Sequence, residues 1–386
     1  MRVIYVVGQD AGGLPHYTAE LANAVAEHAD VTVMKPTDTT ADELFADGVE
    51  VVDAFSSLAL SMPKIHRREV HPFDVARGIL SYDNVKEIRR MDADLVHDTT
   101  DLFPQVKFFL KRHGIDRQKP LVVTRHEVEL NRFSLARPTH LVENAVHALL
   151  PDLREAQVVV HTESQRRALI RHGRDPETIE VIPHGAYSVF GDYRTVETDP
   201  EENCLLFFGN VIPQKGIETL VEAIPRVARD VPDVKLVVAG DGQIPPRARS
   251  TIREYSRHFE LHNRFIPNEQ VREFFARAEA VVLPYHEQAG STKGHSGVLA
   301  TAVSFGKPVV ASTAGDFPSL VEQSGSGVVV PPRDPDRLAT AIARVLDDDE
   351  ARREMAANSR EMGTKLSWEN IAERHVELYE RIIRDS

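Results

Sequence analysis

The sequence predicts an α/β protein built from two doubly wound domains. Strand-like apolar runs alternate with helix-like amphipathic runs almost from end to end, a pattern typical of parallel sheets covered by helices. The alternation stops at the polar, charged stretch 195–203 and then starts again. A chain of 386 residues is long for one hydrophobic core and comfortable for two. We therefore expect domains at 1–194 and 204–364, a linker at 195–203 and a closing helix at 365–386.

The first half of the chain begins with a strand almost at once. The first helix follows a glycine-rich loop, and Pro15 suits its first position because a helix start leaves its N–H groups unpaired. Tyr17, Leu21 and Val25 then recur with helical spacing. The expected strands are 3–7, 31–33, 94–97, 121–123, 158–160 and 179–182.

The second half repeats this organisation and ends in a helix. That helix starts near Trp368 and carries Ile371, Leu378 and Ile382 on helical spacing, and no strand follows it. Its pattern leaves open which domain it packs on. Open parallel sheets bind ligands beyond the carboxyl ends of their strands, so two such domains facing each other would form a cleft. The expected strands are 205–208, 236–238, 280–283, 308–311 and 328–330.

Composition restricts the class of protein. A net charge of -13 argues against nonspecific nucleic-acid binding, which needs a basic face. The single cysteine, Cys204, precedes an apolar run and reads as a buried strand residue, which favours a reducing compartment. No segment reaches the roughly 18 uninterrupted apolar residues that would span a bilayer. We expect a cytoplasmic protein.

One segment leaves peripheral membrane contact open. Residues 105–119 combine Phe108, Phe109 and Leu110 with several lysines and arginines. A basic amphipathic helix can lie on an anionic membrane, here the inner face of the cell membrane. An ordinary surface helix whose lysines extend into water is the favoured reading.

The segment 296–312 predicts a phosphate site. Ser296 is a suitable N-cap, the run from Val298 has helical character, and Gly306 can end the helix. Gly297 lies at the helix start and lets a ligand approach backbone N–H groups that carry partial positive charge. Such a helix start binds anions.

A second segment, 207–216, strengthens that prediction. A strand ends at Gly209, and Lys215 opens the next helix, where the helix dipole disfavours a cation. A lysine placed there suggests a nearby anion, although a solvated lysine is the alternative. The turn around Gly240 ends the next strand, and it is either a turn with no role beyond ending that strand or the edge of a ligand site.

Other candidates are weaker alone. Gly12 and Gly13 precede the first helix, where glycine also serves purely steric needs. His126 and His184 follow strand ends, although a lone histidine is usually structural. Glu287 follows another strand end and reads as a site carboxylate or an exposed loop residue.

The order and spacing of these segments resemble the family 4 glycosyltransferases, a large family of retaining enzymes with the two-domain GT-B fold. The likeness covers nearly the whole chain. The resemblance implies that a nucleotide-diphosphate sugar binds mainly to the second domain, that the acceptor binds to the first, and that the closing helix returns to the first domain. It rests on the glycine loop at Gly12 and on VTRHE, VIPHG, FFGN, PQKG, LVVAGDG, VVLPY, SGVL, FGKPVVAS and SWENIAERHVELYERI.

The resemblance also implies residue roles. The family's phosphate-binding lysine falls on Lys215, and its backbone N–H contacts to phosphate and sugar fall at 296–298. A sugar-contacting histidine falls on His126. The expected catalytic residues are Lys215, His126 and Glu287; acceptor binding falls to His16 and His126, and donor binding to Gly12, Gly13, Asn210, Lys215, Gly240, Ser296, Gly297, Val298 and Thr301.

The chain departs from the family pattern at three positions. Asn210 replaces an arginine and removes a bidentate phosphate donor. Thr301 occupies the place of the carboxylate that usually holds the ribose. Glu287 is the nearest match to the first glutamate of the paired family motif, and the loop from it to Ser296 is longer than usual.

The expected reaction is transfer of a hexose from a nucleotide-diphosphate sugar to a glycan, lipid-linked or small polar acceptor, with retention of configuration. No cofactor or metal is required, because Lys215 and a helix start supply positive charge. Two alternatives stay open: a nucleotide-sugar epimerase of the same fold, and a catalytically degenerate homologue that binds a nucleotide sugar. The donor base, sugar, acceptor and oligomeric state are not predicted.

Overall fold

A computed structural model of the chain divides into two compact units. It describes residues 1–57, 71–101, 104–129, 156–191, 200–286, 291–293 and 296–386. The first unit comprises Met1–His184, the described part of Gly290–His295, and Trp368–Ser386; the second comprises Gly185–Ala289 and Ser296–Ser367. The boundary expected at 194, and part of the linker expected at 195–203, lie outside the described residues.

The first unit is built around a seven-stranded sheet. Its strands are β1 (Arg2–Val6), β2 (Asp30–Pro36), β3 (Val49–Phe55), β4 (Leu95–Asp98), β5 (Leu121–Arg125), β7 (Gln157–Val160) and β8 (Ile179–Val181), with a short β6 (Glu127–Glu129) outside it. The order is β3-β2-β1-β4-β5-β7-β8, and all neighbours are parallel.

The second unit contains a six-stranded parallel sheet. Its strands are β9 (Cys204–Phe208), β10 (Lys235–Ala239), β11 (Phe259–His262), β12 (Ala280–Leu283), β14 (Val309–Ser312) and β15 (Gly327–Val330). Their order is β11-β10-β9-β12-β14-β15. The intervening strand β13 (Ser291–Lys293) belongs to the first unit, where it pairs antiparallel with β6.

Helices cover both sheets. In the first unit they are α1 (Gly13–Val25), α2 (Pro72–Ser81), α3 (Pro104–Arg112) and α4 (Glu163–Arg171). In the second unit they are α5 (Ile217–Asp230), α6 (Pro246–Glu254), α7 (Asn268–Arg277), α8 (Gly297–Ser304), α9 (Pro335–Asp347) and α10 (Asp349–Lys365). The chain ends in α11 (Trp368–Arg384). None of these described helices is long and apolar enough to cross a bilayer.

The closing helix α11 packs on the first unit, as the fold prediction requires. Its residues Trp368, Ile371, Leu378 and Tyr379 are buried in one cluster with α1 and the first sheet. The hydroxyl of Tyr379 lies 2.7 Å from Nδ1 of His97 on β4. The apolar spacing of the helix therefore matches its buried face.

The predicted fold class, two doubly wound α/β domains with a returning helix, is confirmed. Each sheet is apolar on both faces, because helices cover both sides of a parallel sheet. Cys204 lies buried at the start of β9, and burial raises the pKa of its thiol to about 11. Its position agrees with the expected strand residue.

Candidate functional site

The carboxyl edge of the second sheet brings together the two segments that the sequence singles out. Gly209 follows β9 directly and has a φ angle of 86°. A Cβ atom at this position would lie 2.7 Å from Nζ of Lys215 and 3.5 Å from Cγ2 of Val298. Lys215 and the start of α8 therefore meet over Gly209, where a side chain would separate them.

Lys215 is held by a short helical turn, Pro213–Lys215, that precedes α5. Its ammonium group donates a hydrogen bond to the carbonyl oxygen of Phe208 at 3.3 Å and lies 5.5 Å from the ring centroid of Tyr285. An ammonium group has three donors and one of them is used here. Tyr285 supplies an aromatic face that stabilises the cation.

The start of α8 has the geometry expected of an anion site. Ser296 occupies the N-cap position, with φ and ψ of -82° and 124°, but its side chain makes no capping bond to the helix. Its hydroxyl oxygen lies instead 3.1 Å from that of Tyr285. The first-turn N–H groups at Gly297 and Val298 are therefore not satisfied by the Ser296 side chain, and a ligand can take them.

The ring of Tyr187 limits the space beside Gly297. A Cβ atom at Gly297 would lie 3.3 Å from Cε2 of Tyr187, a contact tighter than most. Sequence reasoning missed both Tyr187 and Tyr285, because an isolated tyrosine in a loop carries no spacing signal.

The local electrostatics favour an anion. Lys215 carries a full positive charge, and the start of α8 carries a partial one. These two positive charges repel each other, and an anion bound between them would attract both. The arrangement therefore suits a diphosphate better than a neutral ligand.

The other expected donor residues of this unit differ in their exposure. Asn210 is exposed, whereas Thr301 is 4% exposed and donates its hydroxyl to the Gly297 carbonyl at 2.9 Å. Gly240 lies where two backbones touch, since a Cβ atom there would be 2.0 Å from the Gly209 carbonyl oxygen. The glycine at 240 therefore has a steric reason that is independent of any ligand. Glu287 lies outside the described residues.

In the first unit, the glycine loop leads directly into α1. Gly12 is the N-cap of that helix, with a φ angle of 92°, and Gly13 is its first residue. His16 is 7% exposed, and Nδ1 of its ring donates to the Gly12 carbonyl at 2.9 Å. This imidazole therefore fixes the loop at the helix start.

His126 follows β5 at the carboxyl edge of the first sheet, as expected. Its Nε2 donates to the Thr99 carbonyl at 2.9 Å, and its Nδ1 lies 3.1 Å from Nε2 of His161. The ring meets that of Tyr17 edge-on at 4.7 Å. Burial lowers the pKa of His126 to about 4, so the ring is neutral near neutral pH.

No group of three or more histidine, cysteine, aspartate or glutamate side chains placed to hold a metal occurs among the described residues.

His184 is buried and its ring centroid lies 5.1 Å from that of Tyr17, in the interior of the first unit. His161, the neighbour of His126, was not a candidate from the sequence, because nothing in HTES distinguishes it from a structural histidine.

Known families match both halves of the chain. Residues 11–186 match the model of Glycosyltransferase Family 4, and residues 202–348 match that of Glycosyl transferases group 1.

Curated relatives match over shorter stretches. An uncharacterized glycosyltransferase, MJ1607, of Methanocaldococcus jannaschii is 30% identical over 48% of this chain and 47% of its own length. A D-inositol 3-phosphate glycosyltransferase of Corynebacterium kroppenstedtii is 29% identical over 59% of this chain and 54% of its own length. The chain thus spans about half the length of these two relatives. An alpha-D-kanosaminyltransferase of Streptomyces kanamyceticus is 26% identical over 72% of this chain and 74% of its own length.

Solved structures share the fold over the full length. A sucrose-phosphate synthase from Thermosynechococcus elongatus superposes with a TM-score of 0.73, at 21% identity, covering 100% of both chains. Anabaena Alr3699/HepE, solved with UDP and glucose, superposes with a TM-score of 0.69 at 20% identity, covering 99% of this chain and 100% of its own. A Listeria monocytogenes protein, a putative UDP-N-acetylglucosamine 2-epimerase, has a TM-score of 0.63 at 16% identity, covering 100% of this chain and 97% of its own. At such identities the likeness concerns the fold alone.

Proposed function

The chain belongs to the group 1, family 4 glycosyltransferases, and on this premise we propose that it transfers a hexose from a nucleotide-diphosphate sugar with retention of configuration. The acceptor in this proposal is a glycan, a lipid-linked sugar or a small polar molecule. The observation that supports it most is the meeting of Lys215 with the start of α8 over Gly209.

In the proposed mechanism, the second unit stabilises the leaving diphosphate. Negative charge grows on that group as the bond to the sugar breaks. The Lys215 ammonium and the Gly297 and Val298 amides are fixed before the reaction, so they stabilise this charge without reorganising. Their combined positive charge can do this without a metal ion, which is part of the proposal.

The first unit binds the acceptor in this proposal, near His16 and His126. In this proposal the ring of His126 lies beside the sugar and orients it. UDP sugars are the first donors to test, because Anabaena Alr3699/HepE was solved with UDP and glucose.

Replacing Lys215 by alanine tests the proposal. Removing one preorganised donor from a developing anion costs about 100- to 1,000-fold in turnover. We expect such a loss in UDP release from the accepted donor and acceptor, with thermal unfolding close to wild type. Lys235→Ala is the matched control, because Lys235 lies at the amino end of β10 and its Nζ lies 3.7 Å from Glu201. Full turnover in Lys215→Ala would refute the assignment.

The same assay separates the two alternatives. An epimerase converts a donor to its isomer without an acceptor, whereas a transferase releases nucleotide. A degenerate homologue would bind donor in calorimetry and turn over none across an acceptor panel. Asn210 and the buried hydroxyl of Thr301 are the positions that would account for that outcome, because both lack the charged groups of the family pattern.

We also propose peripheral contact of the first unit with the inner face of the cell membrane, in the cytoplasm. Phe73 and Leu80 of α2 are 89% and 66% exposed, and their spacing places them on one helix face together with exposed Arg77. Sedimentation with phosphatidylglycerol vesicles tests this. Wild type should sediment and Phe73→Ser should not; equal behaviour of the two would indicate an ordinary surface helix.

A further inference from the structure

The N-cap residue of α8 has two competing hydrogen-bond partners. The Ser296 backbone has the extended conformation of a cap, and its carbonyl oxygen accepts the first bond of the helix, from the Ala300 N–H, at 2.9 Å. An N-cap serine completes this arrangement by accepting a bond from the N–H of the second or third helical residue. In α8 these residues are Val298 and Leu299, and the Ser296 side chain caps neither.

The hydroxyl of Tyr285 takes the place of those amides. Its oxygen lies 3.1 Å from the hydroxyl oxygen of Ser296. A serine hydroxyl is carried on Cβ, so rotation about the Cα–Cβ bond alone moves it from one staggered position to another. A single rotation therefore separates the observed position of the Ser296 hydroxyl from a capping position.

Tyr285 itself is fixed by contacts that do not involve α8. Its backbone carbonyl accepts a hydrogen bond from Oγ of Ser312 at 2.6 Å, and its ring centroid lies 5.3 Å from that of Phe317. The ring also lies 5.5 Å from Nζ of Lys215. These contacts hold the Tyr285 hydroxyl beside Ser296.

The two partners of the Ser296 hydroxyl are close in strength. A hydrogen bond between neutral groups contributes about 2- to 10-fold to an equilibrium constant, and a serine N-cap contributes about 2- to 30-fold relative to alanine. Because these ranges overlap, the presence of the Tyr285 hydroxyl is enough to decide which partner Ser296 takes.

We propose that Tyr285 is a positioning residue for the start of α8. Its hydroxyl holds that of Ser296 away from the first-turn N–H groups and so keeps these groups open to the diphosphate of a nucleotide sugar. The diphosphate rests on the proposed function, whereas the choice of partner by Ser296 does not.

A capped helix start competes with such a ligand. Each backbone N–H carries one proton, so an N–H that donates to Ser296 is not available to a phosphate oxygen. The affinity of a ligand falls in proportion to the fraction of the protein in the state that can bind it. Without the Tyr285 hydroxyl, the capped state therefore weakens diphosphate binding.

Tyr285→Phe removes only the hydroxyl and keeps the aromatic ring near Lys215. Calorimetry with UDP, GDP and ADP identifies the diphosphate that wild type binds most tightly, and that nucleotide then serves as the probe for the variants. We expect its dissociation constant to rise about 2- to 30-fold in Tyr285→Phe, the contribution of a serine N-cap. Tyr255→Phe is the matched control, because Tyr255 is 37% exposed at the end of α6, and it should bind as wild type does. Equal dissociation constants in Tyr285→Phe and wild type would overturn the proposal.

Ser296→Ala separates positioning from direct contact with the ligand. In this background, adding Tyr285→Phe should leave the dissociation constant unchanged, because no serine hydroxyl remains to cap α8. An equal loss with and without Ser296 would also overturn the proposal, because Tyr285 would then act on the diphosphate directly.

Amide hydrogen exchange reports the cap in the absence of any nucleotide. In Tyr285→Phe, the N–H of Val298 or Leu299 should exchange about 2- to 30-fold more slowly than in wild type, because the bond to Ser296 protects it. Adding Ser296→Ala should restore fast exchange. Unchanged exchange in Tyr285→Phe would contradict the two-partner account. If wild type binds none of the three nucleotides, the proposed function fails, and the exchange rates still decide the partner of Ser296.

Discussion

Substitution of Gly209 by alanine tests how closely Lys215 and the start of α8 must approach. Two effects add at this position. The φ angle of 86° costs an L-residue about 1–2 kcal/mol, which appears as lost stability. The new Cβ would also lie 2.7 Å from Nζ of Lys215, so the flexible lysine must move away.

The second effect should appear in donor binding. A hydrogen bond between charged groups contributes about 1.5–3 kcal/mol, so loss of the lysine contact should weaken donor binding by about 10- to 150-fold. Calorimetry with the accepted nucleotide sugar measures this change, and urea unfolding measures the stability.

A matched control separates strain from displacement of the lysine. Gly173 has the same φ angle of 86°, and a Cβ atom there would meet nothing within 4 Å. Gly173→Ala should therefore lose similar stability and keep donor affinity. Equal donor affinities in Gly209→Ala and Gly173→Ala would refute the reasoning, because the lysine position would then not matter.

Three further predictions concern single side chains. Tyr379→Phe should lower the free energy of unfolding by about 1–3 kcal/mol in urea titrations, because its buried hydroxyl bonds to His97 and Tyr5, whereas exposed Glu380→Ala should change little. Thr301→Val should leave the donor dissociation constant within about twofold, since its hydroxyl is bonded to its own helix; a large loss would place the hydroxyl on the ligand. Burial raises the pKa of Asp98 from 3.8 to about 7. Between these pH values the unfolded chain has lost this proton and the folded chain still holds it, so the free energy of unfolding falls as the pH rises from about 4 to about 7. Asp98→Asn, whose oxygen can still accept the bonds from Thr100 and Asp101, should remove that fall in thermal unfolding midpoints; an unchanged slope would contradict the shifted pKa.

Most of the strands that could be predicted are buried on both faces. β9 and β12 are continuous apolar runs, and their positions follow from the sequence. β3 and β11 lie at the sheet edges and were not predicted. Each strand mixes apolar with polar residues, and most of its residues are partly or fully exposed, because an edge strand is only partly covered.

The candidate site was predictable where the backbone forms it. Gly209, Lys215 and Gly297 follow from strand ends and a helix start, features that leave clear sequence signals. The aromatic groups around them were not predictable, because Tyr187 and Tyr285 act through packing that only the fold creates. The same holds for His161, which gains its meaning from a contact with His126 that lies 35 positions away in the chain.

Ser296 shows how a correct position can have a different partner. Its backbone is the N-cap of α8, as predicted, but its hydroxyl lies beside that of Tyr285. The capping rule describes a local preference, and a nearby tertiary partner can replace the capping bond. The consequence is favourable for a ligand, since Ser296 leaves the first-turn amides to it.

A structure of the protein with a nucleoside diphosphate bound tests the central claim most directly. We expect phosphate oxygens within hydrogen-bond distance of Nζ of Lys215 and of the backbone nitrogens of Gly297 and Val298. A diphosphate bound elsewhere, with the Lys215 ammonium still on the Phe208 carbonyl, would contradict it.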